Sequence, residues 1–109
     1  MKINKELLKG STTILILSLL KRKHMYGYEI IKEIELRSSG VFNFKEGTLY
    51  PILHTLESNE MVESFWSEGE SARKRKYYKI TDKGNKQLKE KEDEWKLFTN
   101  TVNTILLED

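Results

Sequence analysis

Two stretches limit what this chain can fold into: Gly47-Thr48-Leu49-Tyr50-Pro51-Ile52-Leu53-His54-Thr55-Leu56-Glu57 and Arg73-Lys74-Arg75-Lys76-Tyr77-Tyr78-Lys79-Ile80-Thr81-Asp82-Lys83-Gly84. In the first, Leu49, Ile52, Leu53 and Leu56 follow the stripe of an amphipathic helix and leave a polar, aromatic outer face. The second runs four cations straight into an alternating aromatic strand, which reads as the returning arm of a hairpin. A helix with a polar face followed by a basic hairpin offers two separate handholds for a polyanion.

The 109 residues leave room for one domain with a modest core. Hydrophobic residues make up 38% and charged residues 33%, which fits a globular chain rather than a disordered or membranous one. Net charge is only +2, so an anion-binding footprint must come from local clustering, and residues 73–76 supply it. The absence of cysteine removes disulfides, Cys-ligated zinc and thiol catalysis. His24 and His54 have no clustered carboxylates beside them, so no metal site is expected. No Ser/His/Asp set or Gly-rich phosphate loop is visible, and solvated helix faces account for Glu33/Glu35 and Glu90/Glu92. No catalytic residue, enzyme activity or cofactor is expected.

The apolar run 12–20, preceded by Lys2, Lys5 and Lys9, superficially resembles a secretion signal. Lys21-Arg22-Lys23-His24 follows where a small-residue cleavage site would be needed. The run also falls short of the roughly 20 residues that cross a bilayer. It reads as a buried helix of a cytoplasmic protein.

The element order reads α-α-α-β-β-α: mainly helical, with a small β-wing. A first helix spans 4–22 and is apolar nearly all round in its second half, so it needs cover on more than one side. A second spans 26–38, with Tyr28, Ile30, Ile31, Ile34 and Leu36 inward, and Ser38-Ser39-Gly40 ends it. Gly27 near its start reads as a close-packing or tight-turn residue. The third spans 46–59, with Thr48 a candidate N-cap that would place Pro51 in the first turn. Strands over 61–68 and 76–81 flank a turn at 68–72, with Trp66 a strand packing residue. Thr81 or Asp82 caps a last helix that runs to about 107. Its apolar positions Leu88, Trp95, Phe98, Val102, Ile105 and Leu106 are mostly spaced 7, 3, 4 and 3, a heptad seam with no intrachain partner left. The chain divides into a DNA-binding domain at 1–80 and a C-terminal dimerisation helix at 81–109, and the dimer is a homodimer.

On this reading the third helix enters the major groove of double-stranded DNA, where Lys45, Thr48, Tyr50 and His54 reach phosphates or base edges. Arg73, Lys74, Arg75 and Lys76 neutralise about two or three flanking phosphates, since strand alternation turns some away. Of Tyr77 and Tyr78 only one can face the DNA, and Tyr78 is placed there. A charge run can also be a solvated edge that blocks aggregation, and the competing function is a protein-interaction module without specific DNA binding. Such modules commonly lose wing basicity, which this chain keeps.

Four motifs in register carry a resemblance: Met25-Tyr26-Gly27-Tyr28-Glu29-Ile30, Gly47-Thr48-Leu49-Tyr50-Pro51, Leu56-Glu57, and Arg75-Lys76-Tyr77-Tyr78-Lys79-Ile80-Thr81 with Gly84. Together they resemble the PadR-type transcriptional regulators, and the short chain resembles the multidrug-sensing type within that family. The resemblance implies a dimeric winged helix-turn-helix repressor that binds a pseudo-palindromic operator. It also implies a slot at the dimer axis where a planar hydrophobic or aromatic effector lies between two copies of Trp95, lined by Leu7, Ile14, Ser18 and Thr99. Glu92, one turn before Trp95, departs from the aromatic residue of the multidrug sensor. Asn59-Glu60 stands where the family usually has a glycine, and asparagine tolerates the left-handed conformation needed there.

Overall fold

The computed structural model describes residues 2–69 and 72–107. The elements are α1 (Lys5–Lys9), α2 (Thr12–Arg22), β1 (Met25–Tyr26), α3 (Gly27–Arg37), α4 (Glu46–Ser58), β2 (Val62–Ser67), β3 (Arg75–Ile80) and α5 (Asp82–Leu107). The expected turn over 68–72 includes Glu70 and Ser71, which lie outside the described residues.

The architecture is the expected winged helix, with two refinements. The first helix is broken at Gly10-Ser11. Glycine has poor helix propensity, and the Ser11 hydroxyl donates back to the Leu8 carbonyl at 2.9 Å instead of capping α2. The wing is part of a three-stranded antiparallel sheet in the order β1-β3-β2, because Met25 and Tyr26 pair with Tyr78 and Tyr77.

One core unites these elements. Ile16, Leu17 and Leu20 of α2 meet Ile30, Ile31 and Ile34 of α3, Leu49, Leu53 and Leu56 of α4, and Val62 and Tyr78 of the sheet. Tyr28 and Leu36, expected inward, are exposed instead, so the buried stripe of α3 is Gly27, Ile30, Ile31 and Ile34. Leu88 corrects the seam reading: it is 1% exposed inside its own chain, where the first turns of α5 pack on α2. Leu88 is therefore a core residue and leaves the dimerisation set.

The ends of α3 and α4 are built alike. At α4 the Glu60 amide donates to the Glu57 carbonyl (3.0 Å) and the Met61 amide to the Leu56 carbonyl (2.9 Å), a Schellman closure. The left-handed residue is Glu60, at φ 62°, rather than Asn59, at φ −88°. At α3, Ser39 (φ 53°) and Gly40 (φ 82°) are both left-handed, and the Gly40 amide donates to the Glu35 carbonyl at 2.8 Å.

Thr81 caps α5 by accepting from the Gly84 amide at 3.0 Å. Gly84 sits where a Cβ would strike the Met61 carbonyl and the Ile80 side chain, so only glycine lets α5 start this close to the α4–β2 turn.

A side chain at φ 62° carries a steric cost that glycine lacks, partly offset by the extra freedom glycine gives the unfolded chain. Glu60→Gly is expected to stabilise the protein by about 0.5–1 kcal/mol. Thermal unfolding should register this as a rise of a few degrees in Tm, and an unchanged or lower midpoint would refute the strain argument.

Candidate nucleic-acid interface

The recognition surface begins with α4. Its buried stripe of Leu49, Leu53 and Leu56 fixes the rotation of the helix and turns Gly47, Thr48, Pro51, His54, Thr55 and Ser58 to solvent. The helix starts earlier than a Thr48 cap would allow. Lys45 is the N-cap residue and gives no side-chain cap, while its carbonyl accepts from the amides of Thr48 and Leu49, both at 3.0 Å. Pro51 therefore lies inside the helix rather than in its first turn, and it leaves the Gly47 carbonyl without the usual i+4 donor on the solvent side.

Tyr50 lies on the flank of α4. Its ring occupies the space above Gly27, where an added Cβ would stand 2.5 Å from the phenol oxygen. The close-packing role expected of Gly27 is thus to let α3 meet Tyr50.

One carboxylate bridges the hairpin to α4. Glu57 accepts a hydrogen bond from the Ser64 hydroxyl of β2 and pairs with the Lys76 ammonium of β3 at 3.7 Å. Each of these side chains is partly exposed, so the pair contributes little stability. The packing of Leu53 and Leu56 against Val62 and Tyr78 sets the angle between the helix and the wing, and the Glu57 contacts bridge the two at the surface.

The four wing cations separate by position. Arg73 and Lys74 are exposed near the tip. Arg75 turns to the outer sheet face, its guanidinium 4.7 Å from the Tyr26 ring centroid. Lys76 turns to the inner face, 5.6 Å from the Tyr78 ring. The outer face also carries a run of aromatic contacts, with Phe65 against Tyr77 at 5.7 Å and Tyr77 against Tyr26 at 5.4 Å. Such cross-strand pairs stabilise a small sheet.

Tyr78 is corrected. It is 3% exposed and belongs to the core, so it cannot reach DNA. Burial, then the Glu57 carboxylate and Tyr50 beside it, hold its hydroxyl above the ordinary tyrosine range. Trp66 is corrected in the opposite sense: expected to pack, it is 68% exposed. Neither outcome was readable from strand alternation, because both residues share the inner face and differ only in distance from the core.

The residues expected to line an effector slot lie on three helices. Leu7 is exposed on α1, Ile14 and Ser18 are half-buried on α2, and Trp95 (42% exposed) and Thr99 lie on α5. Ser18 also lines a half-open hollow of about 220 Å³ with Leu15, Leu19, Arg22, Ile34 and Phe42, and the other four slot residues do not line it. Trp95 stacks on Phe98 at 6.1 Å, and beyond Leu88 no described residue of α5 is buried.

A helix with a free polar face, held beside a cationic hairpin, defines a winged-helix DNA-binding domain. Residues 16–90 match the model of the transcriptional regulator PadR-like family, and the chain belongs to that family of DNA-binding regulators. A transcriptional regulator from Clostridium thermocellum is similar at 36% identity and a TM-score of 0.85, over 94% of this chain and 96% of that one. A PadR-like regulator from Bacillus cereus superposes with a TM-score of 0.87 at 32% identity, over 96% of this chain and 100% of its own. An uncharacterised protein of Lysinibacillus sphaericus is 38% identical over 93 residues, 85% of each chain. PadR family members are regulators rather than enzymes, and the protein-interaction alternative is not favoured. No helix among the described residues is long and apolar enough to cross a membrane.

Phosphate contacts release counterions and so set the salt dependence of binding. Replacing Arg73 and Lys74 together by alanine should flatten the slope of log affinity against log salt by about 2 for each subunit bound, equally on specific and scrambled duplexes. Fluorescence anisotropy at several salt concentrations measures this, and an unchanged slope would remove the wing tip from the interface.

Proposed function

We propose that the protein is a ligand-responsive repressor that acts as a homodimer on a pseudo-palindromic operator. The observation that carries the DNA-binding part of this reading is the cationic hairpin packed beside the polar face of α4, with Glu57 bridging the two. Lys45, Thr48, Tyr50 and His54 contact the major groove, while Arg73 and Lys74 near the tip and Lys76 on the inner face hold the flanking backbone, and Arg75 stays on the outer face against Tyr26.

The free length of α5 supports the homodimer. Trp95, Phe98, Ile105 and Leu106 are exposed and Val102 is half-buried along the heptad seam, an apolar stripe that a second copy would cover. Two-fold symmetry then places the two α4 helices at half-sites about one helical turn apart.

The effector reading rests on Trp95. At the axis its exposed ring faces its symmetry mate, and a planar hydrophobic ligand of the kind taken by the multidrug-sensing type fits between them. Leu7, Ile14, Ser18 and Thr99 line the slot. Such a ligand relieves repression only by binding one arrangement of the two subunits better than the other.

The protein should bind DNA from its own upstream region more tightly than a scrambled duplex, with a strong dependence on salt. Anisotropy titration at two salt concentrations tests this, and equally weak binding to both duplexes would overturn the repressor reading. Val102→Glu should convert the dimer to a monomer in sedimentation and lower operator affinity, since a charge in the seam is unpaired. Trp95→Ala should abolish binding of a planar aromatic dye that the unaltered protein takes up, and retained dye affinity would eliminate the slot.

A further inference from the structure

We infer that Trp66, on the face of the wing turned toward α4, packs against the sugar–phosphate backbone of the duplex that α4 enters, beside Lys76. The inference rests on the DNA-binding reading of α4 and extends it with a contact that is not ionic.

Side-chain alternation along β2 places Val62, Ser64 and Trp66 on one face. Val62 lies in the core and the Ser64 hydroxyl bonds to Glu57 of α4, so this is the inner face of the wing. Trp66 stands two residues farther out, about 7 Å beyond Ser64. Its partner in register is Lys76, whose ammonium also reaches toward α4 through Glu57. The indole and the ammonium thus line the angle between the wing and the helix.

Nothing in the fold accounts for the indole's position. Tryptophan is on average highly buried, yet this one is 68% exposed, and its indole has no hydrogen-bond or ring partner among the described residues. Its surroundings argue for the kind of partner. On its own face Ser64 and Glu68 flank it along the strand and Lys76 lies opposite, while the aromatic Phe65 is turned to the other face and Tyr78 is buried in the core, so it is an exposed apolar plate in a polar setting, not the centre of an apolar patch.

A nucleic-acid backbone has the matching chemistry, with the apolar face of a deoxyribose between two phosphates. The indole covers the sugar, its Nε1–H donates to one phosphate, and the Lys76 ammonium approaches the next. Because the indole displaces no counterion, its removal weakens binding without changing the salt slope, unlike removal of Arg73 and Lys74.

The chain has two tryptophans, so the full-length protein labelled with 5-fluorotryptophan gives two fluorine resonances. The one missing in Trp66→Phe is Trp66, and Trp95 serves as internal reference. The upstream duplex, at saturation, should shift the Trp66 resonance and lower its solvent exposure. Trp66→Ala should weaken binding about tenfold on upstream and scrambled duplexes alike, with the salt slope and thermal midpoint unmoved. Trp66→Phe should recover most of that loss. An unmoved Trp66 resonance under saturating duplex, or alanine affinity within about twofold of the unaltered protein, would overturn the inference. Failure of the unaltered protein to bind either duplex would instead overturn the underlying DNA-binding reading, and that titration is read before any variant.

Discussion

The fold depends on one crossing point. The Thr81 hydroxyl accepts from the Gly84 amide and donates toward the carbonyls of Glu60 and Met61, at 2.6 and 3.0 Å. The Thr81 amide adds a further bond to the Met61 carbonyl at 3.0 Å. The end of α4, the start of β2, the end of β3 and the start of α5 therefore meet within a few ångströms. Gly84 permits that approach because a Cβ would occupy the Met61 carbonyl. Glu60 takes a left-handed conformation there without being glycine. Polar satisfaction and close packing demand the same arrangement, which is the condition for a unique junction.

The charge of the protein is organised rather than large. A net charge of +2 on 109 residues gives little overall field, and function depends on where individual cations point. Glu57 draws Lys76 inward and Tyr26 holds Arg75 on the outer face, while Arg73 and Lys74 stand exposed near the tip. Four consecutive cations thus do different jobs, because a strand alternates its faces and a tip does not.

Much of this was legible in the residues. The Leu49, Leu53 and Leu56 stripe, the cationic strand and the Thr81 cap each rest on local periodicity or capping chemistry, which a single sequence displays. Features that depend on distant partners were not legible. β1 is two residues long and exists only because Met25 and Tyr26 find Tyr78 and Tyr77. Leu88 fits the heptad seam by spacing, but packing against α2 takes it into the core. The site divided the same way. The polar face of α4 was readable, whereas the exposure of Trp66 and the burial of Tyr78 depend on how far along β2 and β3 the core extends.

The crossing point also determines how the long helix can act on DNA. α5 spans 26 residues, about 39 Å at 1.5 Å per residue. Its first turns are packed on α2 and its start is bonded to the end of α4. A rotation imposed on its free length cannot be absorbed at the base without breaking the Thr81 bonds or driving Gly84 into Met61. In the proposed dimer, a change in the angle between two α5 helices therefore moves each α4 and its wing as one body. Packed junctions of this kind switch between discrete arrangements rather than deform smoothly. In that proposed dimer an effector at Trp95 would not need to touch the reading head, because tilting α5 alone would alter the spacing of the two α4 helices.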